Sequence, residues 1–325
     1  MAIPGVPDTV LVAPDAFKET FDAARVASAI GRGLERAGVP VDLCPVADGG
    51  EGTLEVLAPT LGAEIRTARV ADPLGRPIEA PFGIAGKTAV VEAAAASGLH
   101  LVDERDRDPL RASTLGTGQL IAAAVDAGAH TVLVGVGGSA TTDGGAGAIR
   151  ALRNVEARLI VLCDVRTAFE DAARVYGPQK GATDEQVRAL TRRLHAQARR
   201  LERDPRAVPM TGAAGGLAGG LWAAFGAELT SGAVFVLDEL GFDTRLRRAR
   251  AVVTGEGRLD DQSLAGKAIS EVAVRARQAG VPAHAIVGKL ALDTFGLRIL
   301  DLQVVLEAST LKRIETASER LAGLL

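Results

Sequence analysis

A chain of 325 residues is longer than one hydrophobic core usually serves, so the sequence predicts two domains. With 47% hydrophobic and 24% charged residues, it has the composition of a globular protein and not of a disordered one. The net charge of −3, with acidic and basic residues interspersed, excludes the basic footprint of a nucleic-acid-binding surface, and 3% aromatic residues are too few for base stacking.

Membrane and secretory classes are excluded on segment length and pattern. No segment reaches the roughly 18 successive apolar residues that a membrane-spanning helix needs. Residues 1–6 lack the basic region and apolar core of a signal peptide. The two cysteines, Cys44 and Cys163, lie in apolar runs, which indicates buried reduced thiols. We therefore expect a cytoplasmic protein that binds neither membranes nor nucleic acids.

The chain opens with alternating strand and helix patterns. Residues 9–13 form a short apolar run of strand type, and 22–36 repeat apolar residues at helical spacing. A second strand over 41–46 and a second helix over 53–61 follow. This alternation predicts a parallel sheet with right-handed crossovers.

A middle section breaks this rhythm with short strands joined by turn residues. The predicted elements are strands at 64–70, 78–84, 87–92, 131–136 and 159–163, and helices at 116–127 and 183–203. The mixture of hairpin-like strands and helices predicts a second α/β domain of its own.

The first rhythm returns near the end of the chain. Strands are predicted at 251–253, 283–287 and 302–306, and helices at 268–279 and 314–325. Five strand–helix units, two before the middle section and three after it, predict one doubly wound parallel sheet with a domain inserted. The predicted domains are 1–63 with 247–325, and 64–246.

Four strands end in turns that carry a carboxylate, at 14–20, 47–53, 137–145 and 254–262, and the last three of these turns are rich in glycine. Glycine lets the backbone approach a ligand closely, and free amides at helix N-termini bind phosphate. Carboxylates at the same edge are suited to Mg²⁺. Any one of these loops is explained as a tight turn with a capping residue. Four at the same kind of position favour phosphate binding.

Familiar nucleotide and catalytic signatures do not account for these loops. The sequence Gly86-Lys87-Thr88 looks like the end of a Walker A loop, but the earlier glycine would fall at Pro81 and no helix pattern follows. No dinucleotide fingerprint or protein-kinase catalytic loop is present. The four histidines have no metal-ligand spacing, and Ser97 and Ser113 lack a nucleophile elbow.

The ordered set of motifs resembles the bacterial glycerate kinase family of the glycerate/glucarate type. The matching segments are PDAFKE (14–19), ADGGEGT (47–53), AAAASGL (93–99), TLGTG (114–118), GGSATTDGG (137–145), YGPQKGAT (176–183), GAAGG (212–216) and TGEGRLD (254–260), with Gln262 and Gly266-Lys267 after them. Segments near 150–158, 166–171 and 289–301 are shorter than in that family, and no site residue is assigned to them.

This resemblance implies ATP-dependent phosphorylation of D-glycerate, usually to 2-phosphoglycerate. It also implies a flavodoxin-like domain that carries the inserted mixed α/β domain, with the active site in the cleft between them. The expected partners are glycerate, ATP and Mg²⁺, and the expected assembly is a monomer or homodimer. A kinase for another small sugar acid, a phosphatase and a non-enzymatic metabolite-binding protein stay open as alternatives.

The motifs supply the candidate site residues. The catalytic candidates are Lys18, Asp48, Asp143, Asp260 and Lys267, and the three aspartates are candidates for the general base and for the metal ligands. The candidates for substrate and phosphate binding are Asp15, Gly49, Gly50, Glu51, Gly137, Gly138, Ser139, Thr141, Thr142, Gln179, Lys180, Glu256, Arg258 and Gln262.

Overall fold

The computed structural model describes residues 8–17, 20–152 and 156–325, which form two compact units. The first unit contains the chain up to Asp48 together with Ala233–Leu325, and the second contains Gly49–Gly232. The strands of the described residues, in chain order, are β1 (Val10–Pro14), β2 (Val41–Leu43), β3 (Glu64–Ala71), β4 (Pro77–Ala85), β5 (Thr88–Glu92), β6 (Thr131–Gly135), β7 (Arg158–Leu162), β8 (Glu228–Thr230), β9 (Ala251–Gly255), β10 (Arg258–Leu259), β11 (Ala283–Val287), β12 (Lys289–Leu290) and β13 (Leu302–Glu307).

The α-helices of the described residues are α1 (Ala23–Arg36), α2 (Thr53–Leu61), α3 (Ala93–Ser97), α4 (Leu115–Asp126), α5 (Ala146–Ala151), α6 (Ala172–Tyr176), α7 (Asp184–Ala198), α8 (Ala213–Phe225), α9 (Gly232–Glu239), α10 (Phe242–Leu246), α11 (Ala268–Ala279), α12 (Thr294–Leu300) and α13 (Leu311–Ala322). Most predicted elements are confirmed within a few residues. The helix expected to reach residue 203 ends at Ala198. The helices that the sequence did not predict are α3, α5, α6, α8, α9, α10 and α12. The four glycines of α8 are poor helix formers and explain why its pattern was not recognised.

The first unit is built on a five-stranded parallel sheet in the order β2-β1-β9-β11-β13. Alternate residues of β1 enter two different cores. Val10 and Val12 pack with α1 and α13, whereas Leu11 and Ala13 belong to the core that contains residues of α10, α11 and α12. Helices therefore cover both faces of the sheet. This is the flavodoxin-like doubly wound order, and it confirms the predicted fold class.

The second unit is built on a six-stranded mixed sheet in the order β3-β4-β5-β6-β7-β8. β3, β4 and β5 pair antiparallel, and β5 to β8 pair parallel. The register aligns Glu92, Gly135 and Leu162 at the carboxyl ends of three adjacent strands. The loops that leave these strands therefore begin at one edge of the sheet.

The division between the units differs from the predicted one at two boundaries. The prediction gave residues 233–246 to the inserted domain, but they belong to the first unit, and α2 is also placed differently. The prediction gave residues 49–63 to the first domain, but they belong to the second unit. The backbone N–H of Leu54 donates to Glu92 at the end of β5 (2.7 Å). A Cβ on Gly83 of β4 would lie 2.6 Å from Leu54 Cδ1, so α2 lies directly on that strand. The strand–helix rhythm alone does not reveal which sheet a helix covers.

Candidate active site

The loop 137–145, between β6 and α5, carries the densest group of predicted site residues. Ser139, Thr141 and Thr142 are all buried. The hydroxyl groups of Ser139 and Thr141 are hydrogen-bonded to each other at 2.9 Å, and the N–H of Thr141 donates to Ser139 Oγ at 3.0 Å. The loop is therefore an ordered turn with internal polar contacts.

The predicted glycines of the second unit also have a packing role. A Cβ on Gly137 would lie 2.5 Å from Gly50 Cα, and one on Gly135 would lie 2.8 Å from the carbonyl oxygen of Gly49. Two glycine-rich loops thus approach each other more closely than side chains allow. Glu51, next in the chain, is exposed, and its Oε1 lies 3.9 Å from His100 Nδ1.

Asp143 is a buried carboxylate that joins the starts of two helices. It accepts hydrogen bonds from the N–H of Thr114 (2.9 Å) and from Thr114 Oγ1 (3.0 Å), at the N-terminus of α4. It also accepts from the N–H groups of Gly145 and Gly147, both at 3.1 Å, at the start of α5. A carboxylate at two helix N-termini is stabilised by free amides and by the helix dipoles. This geometry favours a structural role for Asp143.

Lys180 lies in the short helical turn Pro178–Lys180 and is 4% exposed. Its Nζ donates to the carbonyl oxygen of Thr141 at 2.5 Å. Burial lowers the pKa of Lys180 to about 7, because desolvation disfavours the charged ammonium, while the charge of Asp143 opposes the shift. The neighbouring Gln179 is exposed. The structure therefore brings Lys180, and not Gln179, to the loop 137–145.

Two side chains of α7 contact the same loop and were missed in the sequence. Arg193 Nη2 donates to the carbonyl oxygen of Thr142 at 2.9 Å, and Gln197 Nε2 donates to that of Gly144 at 2.7 Å. They are four residues apart and so lie on one face of the helix. In sequence they were indistinguishable from the other polar residues of α7, because their partners lie 51 and 53 positions away.

Glu92 was also missed, although it ends strand β5. Its carboxylate accepts the hydrogen bond from the N–H of Leu54 near the start of α2. Burial raises the pKa of Glu92 to about 7, and the charges of Glu51 and Glu55 add to the increase, while the Leu54 hydrogen bond opposes it. Glu92 could have been predicted from its position at the carboxyl end of a parallel strand. The four loops were selected by the same criterion.

In the first unit, predicted site residues gather where the strand order reverses, between β1 and β9. The N–H of Asp15, directly after β1, donates to the carbonyl oxygen of Gly255 at 2.8 Å. Glu256 follows β9 and is 6% exposed, with Lys267 Nζ 3.6 Å from its Oε2. Doubly wound sheets bind ligands at this crevice. Asp15, Glu256 and Lys267 are therefore in a suitable position to contact one.

The other predicted residues of the first unit lie beside this group in sequence. Arg258 Nε donates to Asp260 Oδ2 at 3.0 Å, and both side chains are partly exposed. Asp260 Oδ1 accepts from the N–H of Gln262 at 3.1 Å, so Asp260 caps the short helical turn Asp261–Ala265. Asp48 is partly buried. Lys18 lies outside the described residues, and its predicted role stays a prediction.

Two of the three predicted metal ligands, Asp143 and Asp260, already accept hydrogen bonds on both carboxylate oxygens, from N–H groups at Asp143 and from neighbouring donors at Asp260. Within the described ranges, no group of three or more His, Cys, Asp or Glu side chains is arranged to hold a metal ion. Mg²⁺ needs free oxygen ligands at near-octahedral positions. Asp143 and Asp260 do not supply such free oxygens, and Asp48 stays a predicted ligand.

Comparison with known proteins agrees with the fold and with the motifs. Residues 10–156 and 152–322 match the family model described as the glycerate kinase family. The chain is 40% identical to the glycerate kinase of Halalkalibacterium halodurans, over 87% of this chain and 86% of the relative. It is 38% identical to the glycerate 2-kinase of Escherichia coli, over 87% of this chain and 86% of the relative.

A solved structure extends the match to the tertiary level. The crystal structure of a Salmonella typhimurium LT2 protein assigned as glycerate kinase 2 superposes with a TM-score of 0.82 at 32% identity, covering 98% of each chain. The chain therefore belongs to the glycerate kinase family and is an enzyme of the kinase class. Across the described residues, no helix is both long and apolar enough to cross a membrane.

Proposed function

We propose that this enzyme transfers the γ-phosphoryl group of ATP to the 2-hydroxyl group of D-glycerate, giving 2-phosphoglycerate and ADP. The observation that carries the proposal is the match of 38–40% identity, over 86–87% of both chains, to relatives named glycerate kinase and glycerate 2-kinase. The second of these names supports the 2-hydroxyl as the acceptor. The glycine-rich loops at the ends of strands also support the proposal, because their free backbone amides are suited to binding phosphate.

The reaction needs positioning and charge neutralisation more than covalent chemistry from the protein. The glycerate oxygen forms a bond to the γ-phosphorus while the bond from that phosphorus to the β–γ bridging oxygen breaks. The hydroxyl proton passes to a carboxylate. Asp48 and Asp260 are our candidates for this base, because both are partly exposed, whereas Asp143 is buried against the two helix N-termini.

Three basic side chains are candidates to supply positive charge for the reaction. Lys267 and Arg258 in the first unit, and Lys180 in the second, are candidates to bind phosphate or the carboxylate of glycerate. Lys267 is partly buried and lies beside Glu256, which holds the ammonium near the carboxyl end of β9. We include Mg²⁺ in the proposal as an ion carried by the phosphates of ATP.

The proposal is tested by incubating the purified chain with ATP, Mg²⁺ and D-glycerate and measuring ADP. Phosphorus NMR of the product then distinguishes 2-phosphoglycerate from 3-phosphoglycerate. Glucarate and tartronate serve as alternative acceptors, and EDTA tests the need for the ion. ADP release that does not depend on D-glycerate would overturn the proposed substrate, and a product phosphorylated at the 3-position would overturn the proposed acceptor hydroxyl.

We further propose that the enzyme works in the cytoplasm, because both proposed substrates are small soluble metabolites. For its assembly state we propose a monomer or a homodimer. Light scattering of the purified protein, across a range of concentrations, measures the assembly state. A larger oligomer at all concentrations would contradict this part of the proposal.

A further inference from the structure

The segment Thr141–Gly144 is held through its backbone carbonyl groups. Lys180, Arg193 and Gln197 donate to the carbonyl oxygens of Thr141, Thr142 and Gly144 at 2.5, 2.9 and 2.7 Å. We call these three side chains the carbonyl clamp. They come from one stretch of chain, while their acceptors belong to another. The clamp therefore fixes the backbone of the segment from a single side.

The clamp has a rigid support. α7 is anchored by Leu190, Leu194 and Ala198, all buried in one cluster with Phe169. Arg193 spans two loops, because its Nη1 also donates to the carbonyl oxygen of Leu110 at 2.7 Å. A guanidinium that makes two hydrogen bonds in a fixed geometry loses little further freedom when it holds a loop.

The N-terminal part of α8 also contacts the segment Thr141–Gly144. The N–H of Gly144 donates to the carbonyl oxygen of Gly215 at 3.0 Å. A Cβ on Gly215 would lie 1.9 Å from the carbonyl oxygen of Thr141, so the two backbones are in direct contact. Ala214 has the left-handed dihedral φ 51°, which is strained for a residue with a side chain. Such strain persists where the surroundings determine the conformation.

The hydroxyl of Thr142 is the exception in this well-bonded segment. Thr142 is 0% exposed, and its Oγ1 has no hydrogen-bond partner among the described residues. The neighbouring hydroxyls differ in this respect, since Thr141 Oγ1 is paired with Ser139 and Thr114 Oγ1 with Asp143. Buried polar groups in native proteins are nearly always hydrogen-bonded. A hydroxyl on a fixed backbone with no partner among the described residues points to a bound molecule as its partner.

We propose that the Thr142 hydroxyl donates a hydrogen bond to an anionic oxygen of a bound substrate, and that Arg193 and Gln197 are positioning residues that fix Thr142 for this contact. The inference rests on the proposed function, which supplies two such oxygens, the phosphate of ATP and the carboxylate of D-glycerate. Both accept hydrogen bonds in the same way. Separate measurements with the two substrates distinguish them.

The first test is Thr142→Val, which removes the hydroxyl and keeps the shape. We expect the KM and the calorimetric Kd of one substrate, ATP or D-glycerate, to rise about tenfold, as loss of one hydrogen bond to an anion predicts. The free energy of unfolding should stay the same or increase, because the hydroxyl has no partner in the part of the chain that the structure describes. Thr142→Ser, which keeps the hydroxyl, should restore most of the affinity.

The second test addresses the positioning residues through matched variants of α7. Arg193→Met should raise the KM of the same substrate as Thr142→Val does. Arg193→Lys should raise that KM less than Arg193→Met, and Gln197→Leu should also give a smaller rise. Arg192→Met is the control, since Arg192 is the exposed preceding residue on the same helix. A double variant of Thr142 and Arg193 should be no weaker in substrate binding than the weaker single variant.

The outcomes separate this inference from the proposed function. If the wild type phosphorylates D-glycerate but Thr142→Val keeps both KM values and both Kd values, the inference is wrong and the function stands. Loss of stability in Thr142→Val without any change in binding also overturns it. If the wild type does not turn over yet Thr142→Val weakens binding of ATP or glycerate, the inference stands and the function is wrong. Absence of binding of both molecules to the wild type overturns both.

Discussion

The ammonium group of Lys180 donates a 2.5 Å hydrogen bond to the carbonyl oxygen of Thr141, 39 positions earlier in the chain. The lysine side chain is almost fully buried, and its positive charge therefore costs free energy that water would otherwise offset. The contact connects a helical turn to the loop after β6. It makes the stability of that loop sensitive to the protonation of one lysine.

The first prediction concerns the pH dependence of stability at Lys180. Its pKa falls from the usual 10.5 to about 7 in the folded protein, so the folded state binds fewer protons than the unfolded state between these values. Stability should therefore rise with pH in that window. The free energy of unfolding of the wild type, minus that of Lys180→Met, should increase by roughly 2–4 kcal/mol between pH 7 and pH 10.

Urea unfolding at several pH values measures this difference. Lys312→Met is the control, because Lys312 is exposed on α13 and should show a constant difference. If the difference in free energy of unfolding between the wild type and Lys180→Met does not change with pH either, the low pKa of Lys180 is contradicted.

The second prediction separates a structural from a chemical role for Asp143. Asp143→Asn replaces an acceptor oxygen with a donor that faces N–H groups, so the free energy of unfolding should drop by roughly 2–4 kcal/mol. Asp126→Asn, at the exposed end of α4, is the control and should change stability little. Loss of turnover at unchanged stability would instead support Asp143 as the base or the metal ligand expected from the sequence.

The third prediction concerns Glu92, whose pKa rises from the usual 4.5 to about 7 in the folded protein. The stability that the protonated group contributes is fully present below pH 4.5 and is lost as pH rises through 7. Glu92→Gln removes this titration, so at pH 8 the variant should be more stable than the wild type by roughly 2–4 kcal/mol, with little difference near pH 4.5.

Chemical denaturation at pH 4.5, 6 and 8 checks this trend. Glu79→Gln, at an exposed position of β4, provides the comparison and should not change the pH profile. A gain in stability that does not vary with pH would show that the effect comes from packing and not from titration of Glu92.

The fourth prediction compares two glycines that share a left-handed backbone, Gly215 in α8 and Gly226 directly after it. Gly215 has φ +65° and its added Cβ would collide with the carbonyl oxygen of Thr141, whereas Gly226 has φ +67° and open space around it. Gly226→Ala should cost about 1 kcal/mol of stability from the dihedral alone. Gly215→Ala should cost at least about 3 kcal/mol, because the collision adds to that strain. Equal losses in thermal or urea unfolding would show that the close approach is unimportant.

Local signals account for the parts of the molecule that the sequence predicted correctly. Helical and strand periodicity located α1, α2 and α11 and the strands of the five-stranded sheet of the first unit, because the spacing of apolar residues is a property of each segment by itself. The glycine–carboxylate loops followed from the same local pattern, as did the resemblance to the family that the comparisons then showed. Fold class and family were therefore available from the residues alone.

The tertiary structure decided what depends on residues far apart in the chain. The sequence could not assign α2 to the second unit, because that depends on the contacts of Leu54 with Glu92 and Gly83. Asp143 was selected for its carboxylate, but its hydrogen bonds to Thr114, 29 positions away, favour a structural role. Arg193 and Gln197 carry no local signal at all. A hydrogen bond depends on the distance between two atoms, and for distant residues only the folded chain determines that distance.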